Sequence, residues 1–227
     1  MTRIVIAGAG RMGQAIAAGL HKQDDLELLG TWQRGDDLAP LVAAADVVID
    51  FSLPDGTTQV LEAVAAHSTP LVCGVSGLDA AQMARLDEVA ARVPIVYDRN
   101  MSLGVAVLEH SIREAASSLG SDFAIHIAEV HHVHKKDAPS GTALKLGEAA
   151  AAARGEAGTG SVTFESERRG EVPGDHEVVM QSATESLTFA HSVTSRQVFA
   201  DGAIRAARWI AGKSPGRYAM SDVLFGN

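Results

Sequence analysis

Short apolar runs alternate with stretches that are apolar at every third or fourth position along the first hundred residues. Arg3–Ala7 reads as a strand that stops at Gly-Ala-Gly, and a helical pattern then continues through His21. Leu26–Trp32 predicts a second strand, followed by a polar turn and a brief helix. Asp46–Phe51 is a run of the kind buried on both faces. Pro54 precedes the helix Asp55–His67. Pro70–Cys73, the helix Ala80–Arg92 and Pro94–Tyr97 complete the series. Strand and helix alternating at this spacing predict βαβ units, hence a doubly wound parallel sheet of Rossmann type.

The rhythm then changes. A helix from about Leu103 to Leu119 leads into longer strands that alternate apolar and polar residues: Asp122–His131, Val162–Arg168, His176–Ser182 and Ser186–Val193. A helix opened by Ser140 lies between the first two, and Gly155–Gly160 reads as a loop. This predicts a smaller α+β domain over 103–194 with a mixed, mostly antiparallel four-stranded sheet. An amphipathic helix from about Ser195 to Ala211 follows.

Composition narrows the classes. In 227 residues, 46% hydrophobic and 21% charged content fits a globular chain, and the apolar runs are too short to span a bilayer. The start, MTRIVIAGAG, lacks the long apolar stretch of a cleavable signal. The one cysteine, Cys73, has no internal disulfide partner; it lies in an apolar strand as a packing residue. A reducing cytoplasm is the expected location. A net charge of −9 argues against nucleic acid or an anionic membrane as partner. Against that background the cations between His131 and Lys136, and Arg168 with Arg169, suggest a small anionic ligand. The arginine pair fits an exposed strand end equally well.

Two segments carry chemistry. Gly8, Ala9, Gly10, Arg11, Met12 and Gly13 follow a strand and open a helix. In that context the first glycine makes the tight turn, the second admits a pyrophosphate to the backbone, and the third lets helix and strand approach. A dinucleotide fold usually places an acid near the end of the second strand to bond the ribose. Here Gln33 and Arg34 stand there, and Arg34 with Arg11 could neutralise a 2′-phosphate.

The second segment is EVHHVHKKDAPSGTALKLGE, Glu129 to Glu148. Imidazoles able to move protons near neutrality sit beside Lys135 and Lys136. Ser140 is a good N-cap, and the first-turn N–H groups at Gly141 and Thr142 suit an oxyanion. Metal ligation by the histidines is the competing reading. It lacks a nearby cysteine and faces repulsion from the lysines, so no metal is expected. A solvated strand end would explain HHVHKK but not the helix cap that follows.

The string Glu129-x-His131-His132-x-x-Lys135-x-Asp137-Ala-Pro-Ser140-Gly141-Thr142-Ala143 resembles the signature of the 4-hydroxy-tetrahydrodipicolinate reductase (dihydrodipicolinate reductase) family. GAGRMG, DFSLPDGT at 50–57, CGVSG at 73–77, NMSLGV at 100–105 and the C-terminal SRQVFADGAIRAARWIAGKSPGRYAMSDVL extend the resemblance along the whole chain. It implies reduction of a small anionic dicarboxylate by NADPH and/or NADH in the diaminopimelate and lysine pathway. His131 would be the proton donor or acceptor and Lys135 the assisting cation. His132 with Ser140, Gly141 and Thr142 would hold the substrate carboxylates. Gly74, Val75 and Ser76 would lie under the nicotinamide, and Asp98, Arg99, Asn100 and Met101 would close the cofactor site. The resemblance also implies that 195–227 returns to the dinucleotide domain of 1–102, and that the smaller domain assembles a homotetramer. Family members that use NADH well often carry an acid where Gln33 stands, so NADPH is expected to serve at least as well. A reductase of another imine or keto acid, a non-catalytic dinucleotide sensor and a metal-bound regulator are the rival readings. Retention of both His131 and Lys135 argues against a sensor.

Overall fold

The computed structural model describes residues 1–226, and its chain divides into two compact units. One comprises residues 1–103 with 197 onward, the other Gly104–Arg196.

The first unit is a six-stranded parallel sheet of β1 (Thr2–Ala7), β2 (Leu26–Trp32), β3 (Val47–Asp50), β4 (Leu71–Cys73), β5 (Pro94–Tyr97) and β10 (Gly216–Tyr218). The strand order is β10-β5-β4-β3-β1-β2. Ile4–Ala7, Val47–Asp50 and Leu71–Cys73 are buried at every position, as strands covered on both faces must be. Val5, Ala7, Val48, Leu71, Cys73 and Ile95 point to one layer, where they pack with α2 (Ala39–Ala44), α3 (Pro54–His67) and α4 (Ala80–Ala90). On the other layer α1 (Arg11–Leu20) packs on α7 (Gln197–Ile210), and α7 lies against β3, β4 and β5. Gly19 permits that approach, since a Cβ there would stand 2.6 Å from the Ile204 side chain. Local signals start the helices. Pro54 occupies the first position of α3, where its missing N–H costs nothing. Asp79 and Gln82 form a reciprocal capping box on α4, which contributes about 1 kcal/mol.

The second unit orders its sheet β7-β6-β8-β9, from β6 (Ala124–His131), β7 (Val162–Arg168), β8 (Asp175–Gln181) and β9 (Ser186–His191). β6 and β7 are parallel, with α6 (Gly141–Ala153) as crossover; β6–β8 and β8–β9 are antiparallel. One face buries Ile125, Ile127, Val162, Val178 and Met180 against Leu108, Ile112 and Ala116 of α5 (Leu103–Leu119) and Ala143, Leu146 and Ala150 of α6.

Both sheets are of the kinds that the hydrophobic pattern predicts. Element ends differ by one or two residues, as at β6, where a short 3-10 turn over Gly120–Asp122 takes up the expected first strand position. β10 and α8 (Met220–Phe225) lie in a stretch where the pattern predicted nothing. Three residues are too few to display alternation, and β10 is a strand only because β5 is there to pair with it.

Candidate active site

The first unit prepares a dinucleotide cleft where the sheet order reverses between β2, β1 and β3. β1 ends at Ala7, and Gly8 turns the chain with φ +108°, its N–H donating to the Trp32 carbonyl at 2.9 Å. A Cβ on Gly8 would fall 2.7 Å from the Phe51 carbonyl oxygen, and one on Gly13 only 1.8 Å from the Gly8 oxygen. Gly10 has no side chain to cap α1, so the helix's first N–H groups, at Arg11 and Met12, are left to a ligand. The cleft, ≈ 340 Å³, is lined by Gly8, Ala9, Gly10, Trp32, Gln33, Arg34 and Phe51, with Ser52, Leu53 and Gly56 beyond. Gly8 and Gly13 permit the tight turn and Gly10 opens onto free space, an arrangement that fits a pyrophosphate.

Arg34 reaches the rim of this cleft, and its Nη2 lies 3.4 Å from the Asp55 carboxylate, both side chains being exposed. Gly74 makes room for the Phe51 ring, which a Cβ would meet at 2.4 Å. Val75 beside it is buried and Ser76 exposed. Asp98 is buried and holds the chain together. Its Oδ1 accepts from Asn100 N–H at 3.1 Å and its Oδ2 from Met220 N–H at 3.2 Å. Met101 is buried, its carbonyl packed where a Cβ on Gly202 would come within 1.7 Å. Arg99 and Asn100, between them, are half-buried.

In the second unit the face that packs on α5 and α6 turns polar at one end of the sheet. Along β6, Ile125 and Ile127 give way on the same face to Glu129 and His131. Register then assembles the rest. Glu129 lies opposite His176 on β8 and Ser166 on β7, and His131 opposite Arg168. His131 Nδ1 bonds the Glu129 carboxylate, whose other oxygen is 3.0 Å from Arg168 Nη1. The His131 and His176 rings meet edge-on with centroids 5.2 Å apart. Gly174, at φ +150°, passes so close that a Cβ would stand 2.9 Å from His131 Nε2.

Charge sets the protonation of this cluster. Burial pushes the Glu129 carboxyl up, but Ser166, His131 and Arg168 outweigh it and hold it below the usual range. Burial lowers His131, and the charges of Lys135 and Arg168 add to this against the opposing pull of Glu129. The pair is therefore a neutral imidazole donating Nδ1–H to a carboxylate, with the Nε2 lone pair turned toward Gly174.

The loop after β6 is strapped rather than open. Arg168 donates from Nε to the Lys135 carbonyl at 3.2 Å and from Nη2 to the Asp137 carbonyl. Lys135 Nζ lies 2.8 Å from Asp137 Oδ2. Burial raises the Asp137 carboxyl, while Lys135 and the Gly141 N–H outweigh it. Asp137 thus holds two of the groups that the sequence assigned to a substrate anion. Ser140 Oγ caps α6 by accepting from Ala143 N–H at 3.1 Å, and Thr142 is buried behind it.

The structure thus gathers His131, Lys135, Ser140 and Gly141 around one end of the second sheet. His132 faces another set: its ring is 6.1 Å from that of His134, and its Nδ1 is buried without a partner among the described residues. The tandem arginines split, Arg168 turning inward and Arg169 staying exposed beside Glu167. Among the described residues no group of three or more His, Cys, Asp or Glu has the geometry to hold a metal ion. Glu129 and His176 received no role from sequence reasoning, and Arg168, read with Arg169 as a site for a small anion or an exposed strand end, is instead paired with Glu129. The two-residue spacing of Glu129 and His131 on a strand could have shown the first, but His176 becomes visible only through the β6–β8 register.

A family profile described as "Dihydrodipicolinate reductase, N-terminus" matches residues 2–101, and its companion, "Dihydrodipicolinate reductase, C-terminus", matches 104–224. The chain is 40% identical to the 4-hydroxy-tetrahydrodipicolinate reductase of Alkalilimnicola ehrlichii, with 98% of each chain covered. It is 41% identical to the enzyme of the same name from Zymomonas mobilis, covering 97% of this chain and 95% of that one. The fold matches that of dipicolinate-bound dihydrodipicolinate reductase from Paenisporosarcina with a TM-score of 0.83, at 20% identity over 99% and 100% of the two chains.

Proposed function

This chain belongs to the dihydrodipicolinate reductase family, and on that premise we propose the residue roles, cofactor preference and assembly of an NAD(P)H-dependent 4-hydroxy-tetrahydrodipicolinate reductase of lysine biosynthesis. The observation that carries the chemistry is the Glu129–His131 pair beside Lys135. Gly8 to Gly13 and the N-terminus of α1 hold the pyrophosphate. Gly74, Val75 and Ser76 lie along the nicotinamide, and Asp98 to Met101 hold that loop's neighbour in place. Bound there, the reduced nicotinamide would supply hydride to the conjugated C=C–C=N ring left when the substrate's 4-hydroxyl departs as water.

The protein's own residues handle charge and protons. Lys135, the N-terminus of α6 and the Ser140 hydroxyl receive one substrate carboxylate, and His132 meets the other. Burial and the neighbouring cations hold His131 toward its neutral form, so it must gain a proton at Nε2 before it can act as acid. Burial is the main cause that depresses it and the cations the lesser; a dianionic substrate beside Lys135 offsets the cations, and Glu129 stabilises the imidazolium that results. His131 then delivers the proton while Lys135 stabilises the negative charge that develops on the ring. Arg168 fixes Glu129 and the Lys135 loop.

The decisive measurement couples the protein to a synthase that makes the substrate in situ from pyruvate and aspartate semialdehyde. Cofactor absorbance should fall only when both proteins are present. Folded protein that oxidises neither NADPH nor NADH would overturn the assignment.

NADPH serves at least as well as NADH, because Gln33 offers no carboxylate to repel a 2′-phosphate and Arg34 stands at the cleft rim. Arg34→Ala should weaken NADPH selectively in kcat/KM. The protein works in the cytoplasm as a homotetramer. The second sheet supports that assembly: the face turned away from α5 and α6 carries half-buried Ala128, Val130 and Val179. A monomer mass by light scattering at micromolar concentration would refute the tetramer.

A further inference from the structure

His176 stands behind the proposed carboxylate site, and nothing above gives it a role. It is 4% exposed, with Nε2 3.3 Å from Ser140 Oγ and with Nδ1 buried and unpartnered among the described residues. Burial, and then the neighbouring His131, pull its pKa down to about 3, so the ring is neutral and carries one proton. If Nδ1 held that proton, a buried N–H would face no acceptor. If Nε2 holds it, only an acceptor lone pair is left unmatched, the milder of the two faults.

The Nε2–H tautomer has a consequence for Ser140. A hydroxyl oxygen offers two acceptor sites and one proton. Ser140 Oγ accepts Ala143 N–H as the cap of α6, and it accepts His176 Nε2–H as well. Both acceptor sites are then filled, and the hydroxyl proton must be donated elsewhere. We propose that His176 is a positioning residue that fixes the Ser140 hydroxyl as a hydrogen-bond donor, aimed at a carboxylate oxygen of the substrate. Without His176 the hydroxyl could rotate and offer a lone pair instead, which repels an anion. The selection is for an acceptor: a carboxylate satisfies Ser140, whereas an amide nitrogen in the same place does not.

This rests on the assignment of the α6 N-terminus as a carboxylate site, and the two can be tested apart. Dipicolinate, a flat dicarboxylate, is the probe, and its Kd is measured by calorimetry on the full chain with NADPH present. His176→Leu should raise that Kd, and the substrate KM, about tenfold, the scale of one hydrogen bond to a charged group. KM should rise by a larger factor than kcat falls. His176→Gln, whose amide N–H can reach the same oxygen, should recover most of the affinity, and the shorter His176→Asn should not. In a Ser140→Ala background His176→Leu should add nothing further to Kd. Equal fold-losses with and without Ser140 would overturn the proposal, as would equal losses for the Gln and Asn variants. NADPH affinity and Tm report folding, and if His176→Leu fails to fold the Gln–Asn contrast decides alone. Wild-type protein that binds no dipicolinate would sink the carboxylate site itself. Wild-type binding with additive mutants would sink only the role of His176.

Discussion

Around Gly8 and Gly13 the molecule prepares for a ligand by removing atoms; around His131 it prepares by adding charges and then occupying them. The cleft after β1 is shaped by Cβ atoms that are not there, and its recognition groups are backbone N–H donors with no side chain upon them. At the end of β6 the polar groups already have partners: neutral His131 with Glu129, Glu129 with Arg168, and Lys135 with Asp137. The first kind of site is intolerant of a carbon added at Gly8 or Gly13, and its donors are uncharged backbone N–H groups. The second tolerates changes of size better than changes of charge, and a ligand must exchange with internal partners.

Substitutions can break that contrast at graded cost. Gly13→Ala drives a carbon into the Gly8 carbonyl and should abolish cofactor binding, with the Tm falling in the same protein; unaltered NADPH affinity would show that the turn can relax. His131→Ala keeps the shape of the second site and removes its acid, so kcat should drop roughly 10²-fold with NADPH affinity intact. A near-normal kcat would move the proton donor elsewhere.

Acid titration separates the regions further. His176 is held near 3 against an ordinary value of 6.5, so between those values the unfolded chain binds a proton that the native protein refuses. Stability is therefore fully present above 6.5 and is lost as pH falls through the window, at up to about 1.4 kcal/mol per pH unit for one such group. Denaturant midpoints from pH 7 to pH 4 should fall for the wild type and fall less steeply for His176→Gln. The smallest effect is the most pointed. Asp137→Asn removes the internal carboxylate from Lys135 and the Gly141 N–H, and dipicolinate should bind about two- to fivefold more tightly, the scale of an exposed ion pair. Weaker binding would mean that Asp137 orients Lys135 rather than competing with the ligand.

The two regions also differ in how far the sequence discloses them. The glycine turn is local: strand, three glycines and helix lie within thirteen residues, and each glycine's task follows from backbone geometry alone. The loop from His131 to Thr142 is equally contiguous, which is why its residues could be named. What could not be read was its support. Arg168 and His176 come from strands set beside β6 by parallel and antiparallel register, and no spacing along the chain encodes that. Asp137 shows a further limit. It stands in the family string, but its hold on Lys135 depends on a side-chain direction that only the folded loop fixes.

The sheet of the first unit has a consequence for biogenesis. α7 covers β3, β4 and β5, and β10 pairs with β5, yet both are translated after the whole of Gly104–Arg196. A nascent chain emerging from the ribosome therefore carries an uncovered apolar layer and a raw β5 edge while the contiguous second unit can already close. Until α7 arrives, that exposed layer is a natural binding site for chaperones, and a ribosome stalled between these segments would leave an aggregation-prone fragment.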